Sequence, residues 1–175
     1  MKKVVKFGGS SLASARQFKK VKAIIDADKT RCYVVPSAPG KRDSKDTKVT
    51  DMLYQCYDAA STGQSYKRIL DQIKKRYTDI IDGLELNLNL DFEFSKIEEN
   101  FLNKVGRDYA ASRGEYLNGL IMANYLGFTF VDAADVIRFD ADGNFLSEET
   151  NEEMREHLPR RFRYHRFHRC PCDPG

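Results

Sequence analysis

The stretch VVKFGGSSL, residues 4–12, decides the fold of this chain. A short β-branched and aromatic run that carries Lys6 ends at Gly8 and Gly9, and two serines follow. This pattern is typical of a buried strand that turns sharply towards a helix. Glycines at such a turn leave backbone N–H groups open to an anion, and Lys6 adds a positive charge at the same strand end.

The glycine turn is open to two interpretations. It could be an anion-binding nest suited to the oxygens of a transferring phosphoryl group, or merely a tight strand-to-helix turn with the lysine in solvent. Neither the G-x-x-x-x-G-K-[ST] spacing of a Walker loop nor the G-x-G-x-x-G spacing of a dinucleotide site is present. The residues alone leave both interpretations open.

The first forty residues predict a strand, a glycine turn, a helix and a second strand. Ser14 and Gln17 have the spacing of a capping box at the start of the helix. The second strand, CYVVPS, ends at Pro36 and Ser37. A right-handed parallel crossover is the default for such a unit. We therefore predict an α/β fold, a layered αβα arrangement with a mainly parallel central sheet.

Segments after the second strand are predicted from composition and periodicity. Residues 38–48 are rich in glycine, proline and charge, which is typical of a mobile surface loop. Two amphipathic helices follow, the second with its charged positions towards water. Residues 84–94 alternate with period two, which favours an ordered connection or edge strand.

Residues 107–145 predict a helix, a strand and a hairpin, in that order. A helix is expected from about residue 107 to 126, ended by Gly127. The run FTFVDA, residues 128–133, predicts a strand. The pair Asp142-Gly143 between two short apolar runs predicts a hairpin turn.

Composition restricts the class of protein. With 41% apolar and 31% charged residues among 175, and no apolar run near the roughly 20 residues of a membrane span, the chain is typical of a globular domain. Residues 160–175 contain five arginines and one aspartate, so 24 basic and 25 acidic side chains remain in the body. This balance argues against a nucleic-acid partner. No secretory signal is evident, and we expect a cytoplasmic protein without a membrane partner.

Three motifs in order resemble a known family. VVKFGGSSLASA resembles the opening of aspartate kinases, members of the amino acid kinase family, whose signature is K-F-G-G-[ST]-S at the end of the first strand. VVPSAPGKRDSKDTKVTDMLY is similar to the family's V-V-x-S-A-x-G…T-[DN]-x-L, and SRGEYLNGLIMANYL to its S-x-G-E-x-[LM]-[SA] helix. Together the motifs cover roughly residues 3–158.

The resemblance implies a reaction and its substrates. In aspartate kinases the side-chain carboxylate of L-aspartate attacks the γ-phosphorus of ATP, bound with Mg²⁺, and gives 4-phospho-L-aspartate for the lysine, threonine and methionine pathway. A carboxylate is already ionised at pH 7, so no general base is required. L-aspartate and ATP are thus the expected partners, with no resident metal site.

The resemblance also assigns a phosphate-binding set. Lys6 is the implied catalytic residue, which stabilises charge on the transferred phosphoryl group. The backbone of Phe7, Gly8 and Gly9 would cradle that group, and Ser10 would add a hydroxyl hydrogen bond.

Three further residues are implied for aspartate. Ser37 and Thr50 would hold the substrate, and Glu115 would accept its α-ammonium group as a buried carboxylate. Each has an ordinary alternative: a turn serine, a helix-cap threonine and a solvated helical glutamate. Gly114 is costly inside a helix and calls for a packing or binding reason.

The chain departs from the family after residue 159. The family continues with a glycine-rich G-R-G-G-S-D segment and a nucleotide-binding half, which the printed sequence lacks. We interpret residues 1–159 as the N-terminal lobe of a truncated kinase domain. Residues 160–175 are interpreted as an unstructured or frameshifted tail. The tail holds four residues of zinc-ligand type without zinc-site spacing: His165, His168, Cys170 and Cys172.

Two functions therefore remain open at the level of sequence. One is an aspartate kinase fragment, and the other is a catalytically inactive module, derived from such a kinase, that binds an amino acid or a partner. A glutamate or N-acetylglutamate kinase fits the KFGGSS opening and the downstream GE helix less well. The sequence leaves open whether the chain forms a homo-oligomer.

Overall fold

A computed structural model describes residues 1–157, and the arginine-rich tail lies outside them. These residues form two strands and seven helices, with a 3-10 turn between the first strand and the first helix. The elements in chain order are β1 (Lys3–Phe7), the 3-10 turn (Gly9–Leu12), α1 (Ala15–Asp26), β2 (Arg31–Pro36), α2 (Val49–Ser61), α3 (Lys67–Gly83), α4 (Asp91–Leu102), α5 (Arg107–Leu126), α6 (Ala133–Val136) and α7 (Ser147–His157).

Strands β1 and β2 pair in parallel, joined by α1, which confirms the predicted α/β fold with a parallel sheet. Phe7 lies opposite Pro36 at the carboxyl ends of the two strands. The backbone N–H of Ser37 donates to the carbonyl of Phe7 at 3.0 Å, which extends the ladder by one bond. The segments that follow the two strands therefore start side by side at one edge of the sheet.

Helix α2 lies at the centre of the core and packs against α3, α4 and α5. Its predicted apolar stripe is buried throughout: Val49, Met52, Leu53, Cys56, Tyr57 and Ala60. The predicted stripe of α3 is buried as well, from Leu70 to Ile81. The period of 3.6 residues is thus matched by burial on both helices.

The segment after α3 forms an ordered connection, one of its two predicted alternatives, and not an edge strand. Helix α4 begins at Asp91, so Phe92 and Phe94 are helical. No strand forms over residues 84–90; Leu84 and Leu90 are buried against the core instead. The segment pairs with no strand of the described residues. Its period-two pattern instead reflects leucines of an irregular connection that pack against the core.

The predicted strand FTFVDA is also wrong. Residues 128–132 are irregular, and the Asp132 side chain accepts a hydrogen bond from the backbone N–H of Ala134 at the start of α6. Phe130 packs edge-to-face on Tyr116 of α5, with ring centroids 5.5 Å apart. Aromatic packing on a helix, and not strand pairing, explains the apolar residues of this run.

Of three predicted turns and helix ends, two are confirmed and one is wrong. Gly127, with φ 70°, ends α5 as predicted. The turn at Asp142-Gly143 forms, closed by an antiparallel bridge between Phe139 and Phe145. Ser14 occupies the cap position of α1, but its side chain makes no capping hydrogen bond, so the capping box is not formed.

The two cysteines of the body carry free thiols. Cys32 and Cys56 are both buried, and neither forms a disulfide. Burial is the main cause, and the charge of Glu98 the second, that raises the pKa of Cys56 to about 12, so this thiol stays protonated.

Across residues 1–157, no helix combines the length and the hydropathy needed to cross a bilayer.

Tyr77 ties α3 to α5 through one buried hydrogen bond, which provides a test of the packing. Its hydroxyl donates to the carbonyl of Gly114 at 2.9 Å, and the side chain is fully buried. Tyr77→Phe removes this tie between the two helices, so we expect a loss of about 0.5–1.5 kcal/mol in the free energy of unfolding, measured with urea. The control Tyr54→Phe removes a hydroxyl on half-buried Tyr54 and should change stability by less than about 0.5 kcal/mol. Equal effects of the two variants would contradict this packing.

Candidate functional site

The glycine turn after β1 packs directly against the loop after β2. The backbone N–H of Gly40 donates to the carbonyl of Gly9 at 2.9 Å. A Cβ on Gly40 would lie 2.6 Å from the carbonyl carbon of Gly9, and a Cβ on Gly9 would lie 2.9 Å from the carbonyl oxygen of Ala38. Both positions therefore require glycine, because backbone atoms occupy the space of a side chain.

Gly8 is different from its neighbour. Its φ of −77° is open to any residue, and a Cβ there would meet no atom within 4 Å. Packing and backbone conformation thus give no reason for glycine at this position. Along the turn, the backbone N–H groups of Gly8, Gly9 and Ser10 donate to no acceptor within residues 1–157.

A cavity of about 450 Å³ opens at this edge of the sheet. Its walls come from the glycine turn, the loop after β2, the start of α2 and one residue of α5. The lining residues are Gly9, Ser10, Ser37, Ala38, Pro39, Gly40, Lys41, Lys48, Thr50 and Glu115. The fold thus brings five predicted site residues together: Gly9, Ser10, Ser37, Thr50 and Glu115.

The other three predicted residues lie outside the lining of this cavity. Lys6 is exposed near the end of β1, where it pairs in register with Val35. Phe7 is half-buried, packs against the core and gives its carbonyl to Ser37. Gly8 directly precedes the lining residue Gly9. Lys6, Phe7 and Gly8 are therefore adjacent in sequence to the cavity but do not line it.

Glu115 reaches the cavity from α5 because the preceding residue is glycine. A Cβ on Gly114 would lie 2.7 Å from the Cβ of Ala38 and 3.3 Å from a methyl carbon of Leu53, which is the packing reason expected for this glycine. The close approach lets the backbone N–H of Ala38 donate to Glu115 Oε1 at 3.2 Å. Glu115 is exposed, so the expected burial of its carboxylate is wrong. The helix turns this position towards the open cavity and away from the core.

Ser37 is held by a residue that the sequence analysis missed. Asn118, fully buried one turn after Glu115, donates from Nδ2 to the carbonyl of Ser37 at 2.6 Å. Its Oδ1 has no hydrogen-bond partner within residues 1–157. A polar residue on the apolar face of a helix was the available signal, since buried amides are usually paired.

Thr50 lies in the first turn of α2 and faces the cavity. The cap position of this helix is Lys48, and no side chain caps it, so the capping alternative for Thr50 is wrong. Lys48 and Lys41 both line the cavity. Sequence analysis missed these two lysines because they stand among the other charges of an apparently solvated loop.

The loop at residues 38–48 is tied down, although its composition predicts mobility. Ala38, Pro39 and Gly40 are buried. Arg76 of α3 is buried as well, where the sequence predicts a charge in water, and it bonds to this loop. The composition of the loop could not reveal this anchor, because Arg76 lies 30 residues after its partner Asp46.

The described residues hold no cluster of three or more histidine, cysteine, aspartate or glutamate side chains able to bind a metal ion. The four candidate zinc ligands of the tail lie outside the described residues. The cavity itself is lined by one carboxylate, two ammonium groups and three hydroxyls. Such a set suits a small polar molecule that carries both charges.

A family model now decides the classification. The model described as "Amino acid kinase family" matches residues 1–165, nearly the whole chain. The chain belongs to the amino acid kinase family. The assignment confirms the resemblance carried by the three sequence motifs.

Two relatives of this chain are aspartate kinases. Aspartokinase 3 of Bacillus subtilis is 37% identical over 153 residues, which are 84% of this chain and 34% of the relative. The crystal structure of Clostridium acetobutylicum aspartate kinase is 48% identical, with a TM-score of 0.85, over 89% of this chain and 36% of that one. The chain therefore spans about a third of the length of these relatives.

A more distant structure shares the fold. E. coli aspartokinase III, solved in complex with aspartate and ADP, is 20% identical with a TM-score of 0.72. It covers 90% of this chain, and this chain covers 38% of it. At this identity the likeness concerns the fold alone, and it agrees with the parallel α/β arrangement described above.

The contact between the two glycine segments generates a prediction. Gly40→Ala forces a methyl group against backbone atoms of Gly9 and Ser10, so we expect a loss of about 1–3 kcal/mol in the free energy of unfolding. Gly8→Ala is the matched control, since its methyl group meets open space, and it should change stability by less than about 0.5 kcal/mol. Thermal and urea unfolding of both variants measure the difference. A Gly40→Ala protein as stable as the wild type would show that the two segments are not in contact.

Proposed function

We propose that this chain is the aspartate-binding part of an aspartate kinase, which transfers the γ-phosphoryl group of ATP to the side-chain carboxylate of L-aspartate. The product would be 4-phospho-L-aspartate, the first intermediate of the lysine, threonine and methionine pathway in the cytoplasm. The observation that carries this proposal is the meeting of Ser10, Ser37, Thr50 and Glu115 in one cavity. These residues come from four different segments of the chain.

The charges of the cavity fit an acidic amino acid. L-aspartate carries one ammonium group and two carboxylates at pH 7. Glu115 supplies the negative charge for the ammonium group, while Lys41 and Lys48 supply positive charges for carboxylates. Charge-assisted hydrogen bonds of this kind are about twice as strong as neutral ones, so the pairing favours a dicarboxylic amino acid over a neutral one.

The glycine turn suits the transferred phosphoryl group. Three consecutive N–H groups, from Gly8 to Ser10, are free to donate, and the missing side chain at Gly8 leaves room for phosphate oxygens. Oriented backbone N–H groups of this kind form anion-binding concavities. Lys6 would add its charge from the adjacent strand end, where its exposed ammonium group is able to move towards the phosphate.

The chemistry asks little of the protein beyond position and charge. The carboxylate of aspartate is already a nucleophile, so its oxygen can form the new bond to phosphorus while the bond to ADP breaks. Lys6 and the turn amides would neutralise charge on the phosphoryl oxygens during this step. Magnesium would enter with ATP as part of the co-substrate. Because the chain spans about a third of its relatives, the complete reaction is proposed for the enzyme in which this part works.

Aspartate binding is the first test of this function. We expect the chain to bind L-aspartate in calorimetry, and Glu115→Gln to weaken binding by at least about tenfold, because a neutral amide replaces the partner of the ammonium group. Glu99→Gln is the matched control, since Glu99 is exposed on α4, and it should leave the affinity unchanged. A wild-type chain that does not bind L-aspartate would refute the proposal.

Lys6 provides the test of phosphoryl transfer. Hydroxylamine traps acyl phosphate formed from L-aspartate and Mg-ATP, both by this chain and by a chimaera in which it replaces the matching third of the Bacillus subtilis relative. We expect Lys6→Ala to reduce the rate by about 100-fold or more, because charge on the phosphoryl group loses its counter-charge. Affinity for aspartate and the free energy of unfolding should stay unchanged. Unaltered rates would remove Lys6 from the mechanism, and binding without product in every form would favour a non-catalytic module.

A further inference from the structure

Arg76 lies on α3, a helix that contributes no residue to the lining of the cavity. Its side chain is only 4% exposed, although arginine is rarely buried without partners. The neighbouring charged positions of α3, Arg68 and Lys75 among them, are exposed as the helical pattern predicts. Arg76 follows buried Ile73 by three residues and precedes buried Ile80 by four, so it lies on the buried face of the helix. A cation in that position requires a specific reason.

The reason is a set of bonds to both ends of one loop. Arg76 Nη2 donates to the carbonyl of Gly40 at 2.7 Å, at the start of the loop. Nη1 donates to Asp46 Oδ2 at 2.7 Å and to the carbonyl of Thr47 at 3.3 Å, at its end. The planar guanidinium thus spans the loop with its fork, a geometry that a lysine ammonium group cannot reproduce.

Asp46 is fixed in turn by Arg42 within the same loop. Arg42 donates to it from its backbone N–H at 2.9 Å and from Nε at 2.9 Å. These bonds, and the charge of Arg76, hold the pKa of Asp46 well below its usual range. The carboxylate is therefore charged at neutral pH, and the ion pair with Arg76 persists.

The position of the loop determines the position of the glycine turn, because the two segments are in backbone contact. Gly40, held by Arg76 through its carbonyl, donates through its own N–H to the carbonyl of Gly9, and the two backbones are so close that a Cβ on either glycine would clash. The same loop brings Lys41 and Lys48 to the cavity. A displacement of the loop would thus move one wall of the cavity and the turn amides together.

We propose that Arg76 is a positioning residue of the site, which sets the loop at residues 38–48 and, through the Gly40–Gly9 contact, the glycine turn. Arg76 lies outside the lining of the cavity and acts through the Gly40 and Thr47 carbonyls and the Asp46 carboxylate of the loop. The inference rests on the proposed function for what the site binds, whereas the coupling between loop and turn stands on the described contacts.

Amide hydrogen exchange measured by NMR tests the coupling without any ligand. Arg76→Lys keeps the charge but loses the fork, and Arg76→Met removes the charge. We expect exchange at the amides of Gly40 and Ser11 to be at least about tenfold faster in both variants. Gly40 donates to Gly9 across the loop–turn contact, and Ser11 donates to Gly8 within the turn that this contact holds. The core amide of Ile121 should exchange as in the wild type, and Arg68→Met, on the exposed side of α3, should change none of the three.

Two exchange patterns would overturn the proposal. If Gly40 accelerates while Ser11 does not, the loop and the turn are uncoupled. If Ile121 accelerates as much as Gly40, Arg76 serves the stability of the whole domain and not the position of the site. Should Arg76→Met fail to fold, Arg76→Lys alone decides between these outcomes.

Calorimetry with L-aspartate adds a readout of the site itself. We expect Arg76→Lys to weaken binding by at least about fivefold, with Arg68→Met as the unchanged control. Equal affinity of Arg76→Lys and wild type would overturn the positioning role. If the wild-type chain does not bind L-aspartate, the proposed function fails by itself, and the exchange rates still decide the role of Arg76.

Discussion

The site depends on the contact between the backbones of Gly9 and Gly40. Parallel pairing of β1 with β2 starts the two following segments at the same sheet edge, and the absence of side chains lets them touch. Any larger residue at either position would push the segments apart. One hydrogen bond, from the N–H of Gly40 to the carbonyl of Gly9, then fixes the separation of the two segments, both of which line the cavity.

Three helices support this edge from different directions. Helix α5 approaches the loop closely because Gly114 packs on Ala38, which brings Glu115 to the cavity and Asn118 to the carbonyl of Ser37. Helix α3 reaches the same loop through Arg76, while α2 begins where the loop ends. A buried polar group costs free energy unless it is hydrogen-bonded. The buried side chains of Arg76 and Asn118 both donate hydrogen bonds to the segment that forms the site.

The sequence could predict the elements whose signal is local. The crossover from β1 to β2, the stripes of α2 and α3, and the glycine end of α5 all follow from periodicity and turn residues. Predictions failed where a distant partner decides the structure. The run at residues 128–133 packs on α5 instead of pairing as a strand, and Arg76 is buried by a loop far away in sequence. The likeness of three motifs to aspartate kinases supplied the set of site residues. The cavity unites five of them, and Lys6, Phe7 and Gly8 lie outside its lining.

The amide of Ala38 gives the most direct measurement of whether this cavity is the aspartate site, because it donates to Glu115 at the point where the loop meets α5. In an NMR titration with L-aspartate, the account predicts saturable shifts of the Ala38, Thr50 and Glu115 amides, with the amides of α7 unchanged. An absence of shifts at Ala38 and Glu115, or saturable shifts confined to another part of the chain, would contradict it.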